Sequence, residues 1–319
     1  MENKFKWQLE MKLPPYANAF AHKNALLLLG SCFSEEIGQR LHAFKFNALY
    51  NPCGIVYDAL SINHHLQKWL QPNSENDQLC FEHNGIFHHP HYHSSLSSGG
   101  KEQLLLSLRD ALQKAHQQLK QASHLIITLG TSYYYVRQSD GLAVANCHKL
   151  PAAQFEKKFF KASDSIALFQ NTFKELKKVN PKLNIIITVS PVRHIKDGVV
   201  ENNRSKAHLL ETAHTLQDAL SYVHYFPAYE LVMDVLRDYR FYKEDLVHPN
   251  HMAADFVFQQ FLNQCLLKED WDLINEIEKI NQALQHKAFF PESEAHKIFK
   301  HELMLKITEL QQKYPHLKF

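Results

Sequence analysis

The sequence has few cysteines, no long apolar run and no excess of either charge. Its five cysteines are odd in number and scattered, without a C-x-x-C pair, which argues against a disulfide framework or a cysteine zinc site. No apolar run approaches the ~20 residues that a membrane span needs, and the first residues lack the apolar core of a signal peptide. The net charge of +2 is spread along the chain and forms no basic stripe. These absences predict a cytoplasmic protein that binds neither nucleic acid nor a membrane.

The sequence does contain short buried runs that alternate with helical patterns. With 319 residues, of which 45% are hydrophobic, the chain is long enough for one large domain with an extension. The alternation predicts a three-layer α/β fold with a parallel sheet of about five strands. The predicted strands cover about 25–30, 46–50, 124–130, 184–189 and 223–226. We assign residues 1–265 to this domain, with an inserted histidine-rich region at about 71–100, and residues 266–319 to a helical extension.

The first predicted strand leads directly into a glycine and a serine. Leu26 to Leu29 are followed by Gly30 and Ser31, and a helical pattern begins near Ser34. Ser31 is therefore expected in the crevice where a strand of an open α/β sheet meets a helix. Thr131 and Ser190 follow two other predicted strands in the same way.

An acidic residue and a histidine lie close together near the other end of the α/β domain. Asp245 and His248 are three positions apart, which on a helical turn places them on one face. The carboxylate can then hold one imidazole nitrogen while the other acts as a base. The order Ser31, Asp245, His248 fits a serine hydrolase of the SGNH type.

Several motifs resemble those of one known family. The stretch Gly30-Ser31-Cys32-Phe33-Ser34 resembles the signature of the GSCFA family, with Ser34 in the place of its alanine. The resemblance implies an SGNH/GDSL-like fold and a hydrolase, without naming a substrate. Further matching motifs are Asn51-Pro52-x-Gly54-Ile55, His93-Ser94, Thr128-Leu129-Gly130-Thr131, Asn146-Cys147-His148-Lys149, Ser190-Pro191-Val192-Arg193, and Tyr239-Arg240-Phe241-Tyr242 followed by Asp245-x-x-His248-Pro249.

The resemblance implies a role for each matching residue. Ser31 takes the position of the nucleophile, His248 that of the general base and Asp245 that of the acid that orients it. The backbone N–H groups of Ser31 and Gly54 are the implied oxyanion donors. Where the SGNH pattern has an asparagine after the glycine of its third block, this chain has Thr131 and Ser132. Asn146 or Asn51 is the expected replacement.

Three other features have alternative interpretations. Cys32 adjoins Ser31 and is an alternative nucleophile, although a residue one position along points elsewhere. Arg193 is expected either to bind a substrate carboxylate or phosphate or to form a structural ion pair. Asn146 is either a substrate contact or part of a polar strand end.

Four histidines of the insertion, His88, His89, His91 and His93, are the only further candidates for chemistry. Zinc binding is an alternative here, but no acidic or cysteine ligand lies among them and Pro90 breaks their spacing. We expect no metal, and we expect His93 to form a wall of the active-site cleft.

These observations predict a serine esterase or deacylase that acts on an ester of a small polar or carbohydrate substrate without a cofactor. A binding protein of the same fold, or a metal-dependent hydrolase using the inserted histidines, is the alternative. The carbohydrate substrate is an analogy with SGNH enzymes.

Overall fold

The computed structural model describes residues 9–319, and their main element is a sheet of five parallel strands in the order β10-β9-β5-β1-β2. Apolar runs form these strands because helices cover both faces of the sheet, so the side chains need not alternate with polar ones. The strands of the chain are β1 (Leu26–Gly30), β2 (Ala48–Tyr50), β3 (Phe81–His83), β4 (Ile86–His88), β5 (His124–Leu129), β6 (Tyr133–Arg137), β7 (Ala143–Val144), β8 (Phe155–Phe159), β9 (Asn184–Val189) and β10 (Val223–Phe226).

Helices form the two outer layers. They are α1 (Cys32–Ala43), α2 (Ala59–Leu70), α3 (Lys101–Gln121), α4 (Ala162–Val179), α5 (Val199–Ala219), α6 (Ala228–Glu230), α7 (His251–Cys265), α8 (Trp271–Gln285) and α9 (Glu294–Lys313). Apolar side chains of α2, α3, α4 and α5 pack on one face of the sheet. Those of α1, α7 and the π-helical turn Leu231–Leu236 pack on the other. The predicted three-layer α/β fold is therefore confirmed.

The insertion and its neighbourhood contain two small antiparallel sheets. The turn residues Asn84-Gly85 predict a hairpin, which strands β3 and β4 form. The turn Ser139-Asp140-Gly141 predicts a second one, which strands β6 and β7 form, and β8 joins them as a third strand. The sequence did not indicate β8, because its Glu156, Lys157 and Lys158 interrupt the apolar pattern.

Two segments differ from the sequence-based expectation. Helix α5 begins at Val199, whereas the sequence predicts its start at about 205, because Val199 and Val200 are exposed and the residues that follow them are polar, so this end lacks the apolar period of a packed helix. The sequence also predicts an extended surface arm over residues 1–23, which lies partly outside the described residues. Within it Phe20 is fully buried and bridges to Leu266, so this part of the arm belongs to the core.

The last two helices have small cores of their own. Ile280 of α8 packs with Leu303 and Ile307 of α9, and Leu317 packs on Leu273. Within residues 9–319, no helix combines the length and the apolarity that crossing a membrane requires.

The strand order places a crevice at the carboxyl ends of β1 and β5. The chain moves from β1 to β2 on one side and returns to β5 on the other, so the direction of winding reverses between these two neighbours. Ligands of open α/β sheets bind at such a reversal. Gly30 ends β1 with φ 140°, and a Cβ there would lie 2.2 Å from the Thr128 carbonyl oxygen. Only glycine permits this close approach of the two strand ends.

Candidate functional site

The turn between β1 and α1 presents two adjacent nucleophilic side chains. Ser31 is 1% exposed and caps helix α1, where its Oγ accepts the Phe33 N–H at 3.3 Å. Its own N–H donates to the Thr128 carbonyl at 3.3 Å. Cys32 is the first residue of α1 and is only partly buried. Ser31 therefore faces the protein, and Cys32 faces the crevice.

The histidine and the aspartate lie together beside this turn. His248 Nδ1 and Asp245 Oδ2 are 2.7 Å apart, while Asp245 Oδ1 accepts the N–H groups of Val247 and His248 at 2.9 Å. These backbone N–H bonds, followed by the His248 side chain, lower the pKa of Asp245 to about 2. The spacing of the pair suggested a helical turn, but the pair does not lie on a helix. Leu246, with φ 57°, turns the backbone back on itself instead. The hydrogen bond occupies Nδ1, so Nε2 is the nitrogen available to a substrate.

Two cavities meet at Cys32, Val192 and His248, which line both of them. The larger cavity, of about 390 Å³, has aromatic and polar walls that include Tyr57, Thr131, Tyr133, Tyr135, Arg193 and His194. The smaller, of about 70 Å³, has walls that are mostly apolar and include Phe33, Val232, Ala253, Ala254 and Val257. The crevice therefore offers a small compartment with mostly aliphatic walls and a larger one whose walls combine tyrosine rings with polar side chains, on the two sides of the Cys32–His248 junction.

The larger cavity contains an imidazole nitrogen without a partner. The Nε2 atom of His194 is buried and has no hydrogen bond within residues 9–319. Burial, the first cause, and the charge of Lys206 lower the pKa of His194 to about 4, so its ring is neutral near neutral pH. The described residues therefore leave this nitrogen without the hydrogen bond that buried polar atoms usually have.

A buried lysine lies below the crevice. Lys206 of α5 is 1% exposed, and its Nζ donates to the carbonyl oxygens of Gly130 and Ser190, both at 2.7 Å. These two residues follow β5 and β9 directly. Burial lowers the pKa of Lys206 to about 7. The ammonium therefore ties together the ends of two strands at the edge where the crevice opens.

Three of the predicted site residues, Asn51, Gly54 and His93, do not line these two cavities. The Asn51 side chain accepts the Gly30 N–H at 2.9 Å and donates to Glu35 at 3.2 Å. The Gly54 N–H donates to the Asn51 carbonyl at 2.8 Å, and a Cβ on Gly54 would lie 2.1 Å from Cβ of His93. These hydrogen bonds occupy the Asn51 side chain and the Gly54 N–H.

The remaining predicted residues divide between the cavity and its surroundings. Thr131 and Arg193 line the larger cavity. The Arg193 guanidinium stacks on Tyr242 at 4.6 Å and donates to the Leu246 carbonyl at 3.3 Å, which holds the turn that carries His248. Asn146 lies outside the two cavities, and its side chain contacts Ser94 and the His148 N–H.

A buried carboxylate of the insertion, Glu75, is held by one inserted histidine, His89, and by His64 of α2. Glu75, whose side chain is 6% exposed, lies 3.3 Å from His64 and 3.5 Å from His89 and accepts the Tyr92 hydroxyl. Burial alone would raise the pKa of Glu75, but the hydrogen bonds of His64 and Tyr92 outweigh it and hold the pKa well below its usual range. No group of three or more His, Cys, Asp or Glu side chains in the described part of the chain is arranged to hold a metal ion.

Sequence reasoning missed Lys206, His194 and Tyr57. Lys206 had a visible signal, because it shares the apolar spacing of α5 with Asn202, Leu209 and Ala213, and all four are buried. His194 and Tyr57 had none, because each belongs to an irregular segment whose direction depends on distant contacts.

The fold and this edge define a three-layer α/β protein with a histidine–aspartate pair at the switch point of its sheet. Residues 25–261 match the GSCFA family, and residues 277–319 match the GSCFA domain protein, C-terminal domain. The chain therefore belongs to the GSCFA family.

The comparisons with curated proteins and with solved structures add no closer relationship. No curated protein matches the chain. Among solved structures, an acetyl xylan esterase (Est2A) from the rumen bacterium Butyrivibrio proteoclasticus is similar over 79% of this chain and 66% of its own, with 12% identity and a TM-score of 0.37. The chain thus spans about two thirds of the length of that esterase.

Proposed function

We propose that this chain is an acyl hydrolase that cleaves an ester of a small polar or carbohydrate substrate in the crevice at the end of β1. The observation that carries the proposal is the 2.7 Å bond between His248 and Asp245 beside the β1–α1 turn. A carboxylate that holds Nδ1 of an imidazole leaves Nε2 to take a proton from a nucleophile and return it to the leaving group. Two nucleophilic side chains, Ser31 and Cys32, belong to that turn, and Ser31 is the one that the family resemblance implies.

The two compartments support a division of the substrate. A short acyl group fits the small apolar cavity beside Phe33 and Ala254, because apolar walls favour a methyl or short alkyl group. A polar alcohol such as a sugar fits the larger cavity, where tyrosine rings offer flat surfaces with polar edges. The ester bond then lies at the junction, next to His248.

The first experiment measures hydrolysis of p-nitrophenyl esters of increasing acyl length and release of acetate from acetylated sugars. We expect acetate esters to be preferred over long-chain esters. Ala254→Leu, which fills the small cavity, should reduce the turnover of propionate and butyrate esters more than that of acetate esters. An equal loss for all acyl lengths would contradict the assignment of this cavity.

A second variant tests the histidine–aspartate pair. Asp245→Asn removes the charge that orients His248 and should lower kcat by about 10²–10⁴-fold. Asp255→Asn is the matched control, because Asp255 of α7 is an exposed aspartate that pairs with Arg40 of α1. A ligand that raises the melting temperature of the wild type without being cleaved would support a binding protein instead. Loss of activity on treatment with a chelator would support the metal-dependent alternative.

A further inference from the structure

The two candidate nucleophiles of the β1–α1 turn differ in what their side chains do. The Ser31 hydroxyl is nearly inaccessible and is already used as the cap of α1, where it accepts the Phe33 N–H. Cys32 lines both cavities together with His248. A nucleophile must reach the carbonyl carbon of a bound substrate, which Ser31 cannot do without uncapping the helix.

The backbone N–H groups of Ser31 and Cys32 differ in the same way as their side chains. The Ser31 N–H donates to the Thr128 carbonyl and is not available to an oxyanion. The Cys32 N–H is the first of helix α1, and within residues 9–319 it has no acceptor in another residue. Its hydrogen bond goes to its own sulfur. A carbonyl attacked by that sulfur would therefore meet this donor at the positive end of the helix.

A positive charge without a carboxylate partner lies behind this turn. Among the described residues, no Asp or Glu lies within 4 Å of Lys206, whose hydrogen bonds go to two neutral carbonyls. A buried ammonium stabilises an anion that forms nearby. Burial raises the pKa of the Cys32 thiol, while the charges of Lys206 and Lys243 act in the opposite direction. The resting group is thus a thiol, which requires a base such as His248 to ionise it.

We infer that Cys32, not Ser31, is the nucleophile of the proposed hydrolase, and that Lys206 stabilises its thiolate as a positioning residue. This inference rests on the proposed function. His248 Nε2 takes the thiol proton, and the sulfur forms a bond to the acyl carbon. The ester C–O bond then breaks, and the alcohol leaves with the proton from His248. A water molecule, deprotonated by His248, attacks the thioester carbon and forms a C–O bond. The C–S bond then breaks, His248 returns the proton to the Cys32 sulfur, and the acid leaves.

The test locates the acyl group on the wild-type protein. The protein is incubated with p-nitrophenyl acetate, quenched in acid and digested, and the modified peptide is sequenced by mass spectrometry. We expect one acetyl group on Cys32, removed by neutral hydroxylamine as a thioester is. An acetyl group on Ser31 would overturn the inference while supporting the proposed function. A folded wild type with neither adduct nor turnover would overturn both.

Matched variants check the assignment by rate. Cys32→Ala should lower kcat at least 10³-fold, and Ser31→Ala should change it less than 10-fold. Cys147→Ser, at a partly buried cysteine outside both cavities, is the control for loss of any thiol. Cys32→Ser covers the case in which the alanine variant does not fold. It should accumulate an acetyl group as a more stable oxygen ester, and hydrolysis at the wild-type rate would contradict the inference.

The role of Lys206 has its own readout. Lys206→Met removes the buried charge with little change in side-chain length. We expect the pH midpoint for alkylation of Cys32 by iodoacetamide to move upward, whereas Cys147→Ser should leave it in place. An unchanged midpoint in a folded Lys206→Met protein would show that Lys206 only ties the strand ends together.

Discussion

The chain has two regions rich in ionisable side chains, and they use them in opposite ways. The β1–α1 site, formed by Cys32, His194, His248 and their two cavities, keeps groups open to a ligand. The histidine-rich insertion, residues 71–100, has far more imidazoles but directs most of them at protein partners. There the Tyr92 hydroxyl and His89 approach Glu75, and His64 of the neighbouring helix α2 does so as well.

The difference shows that the number of histidines is a poor guide to chemistry. His65 Nε2 donates to the His91 carbonyl oxygen at 2.8 Å, and His148 Nε2 donates to the His89 carbonyl oxygen at 3.0 Å. These rings join the hairpin to α2 and to the segment after β7. An imidazole whose hydrogen bonds go to other protein groups stabilises the fold. An imidazole at a cavity wall with an unpaired nitrogen can instead bind a substrate.

The sharpest test of this comparison is the removal of His248. His248→Ala should lower kcat by about 10²–10⁴-fold, because the proposed general base is lost, and the melting temperature should stay close to that of the wild type because the ring is partly exposed. His251→Ala, an exposed histidine three positions along, is the control. Retained ester hydrolysis in the His248 variant would remove the basis of the proposed function.

The reverse effect is expected in the insertion. Glu75→Gln keeps the shape of the side chain but removes the charge that Tyr92, His64 and His89 approach. The free energy of unfolding should fall by about 2–3 kcal/mol, measured by urea denaturation, with kcat unchanged. Asp77→Asn, at the exposed partner of Arg109, should change stability by less than about 0.5 kcal/mol. A loss of activity without a loss of stability would show that the insertion takes part in the chemistry.

The buried histidines also predict a dependence of stability on pH. Burial lowers the pKa of His65 to about 3, so below the usual histidine pKa of about 6.5 the unfolded chain binds a proton that the folded chain does not. This contribution is present above pH ~6.5 and is lost as the pH falls toward the folded-state value. In His65→Gln the loss of stability between pH 7 and 5 should be smaller than in the wild type by about 2 kcal/mol.

The measurement is urea denaturation of both proteins at the two pH values. His301→Gln, on an exposed position of α9, shows the effect of removing any one histidine. An identical pH dependence in the wild type and His65→Gln would mean that His65 does not contribute to acid sensitivity.

The smallest expected effect concerns His194 and His224. In each of them Nε2 is buried and has no hydrogen-bond partner within residues 9–319. His194 lines the larger cavity, whereas His224 stacks on Tyr16 away from it. His194→Phe should raise KM about tenfold, as expected for the loss of one hydrogen bond to the substrate, with kcat maintained. His224→Phe should leave KM unchanged. Equal KM values in the two variants would exclude His194 from substrate binding.

Much of the fold was predictable from the sequence. The runs that form β1, β5 and β9 are continuously apolar because the strands are covered on both faces, and such runs are recognisable without any knowledge of contacts. Strand β8 was not predictable in the same way, because an edge strand with Glu156 and Lys158 exposed has no apolar signal.

The site was predictable only to the nearest segment. The sequence indicated that the end of β1 and the Asp245–His248 segment face each other, but the direction of Ser31 and Cys32 depends on one backbone bond, from the Ser31 N–H to Thr128. Adjacent side chains point in different directions, so a pattern that locates the turn does not choose between them. Lys206 differs, because its place among the apolar positions of α5 could be read from the sequence and would have predicted a buried lysine.

The close contact at Gly30 has a consequence for how this site can change over evolutionary time. Gly30 and Ser31 fix the path of the backbone, through the approach to Thr128 and the cap of α1, while Cys32 contributes little to either. Replacement of the sulfur of Cys32 by oxygen would leave that path intact. The backbone path and the reactive atom thus depend on different residues. One substitution at position 32 can therefore change the nucleophile while the fold of the turn stays the same.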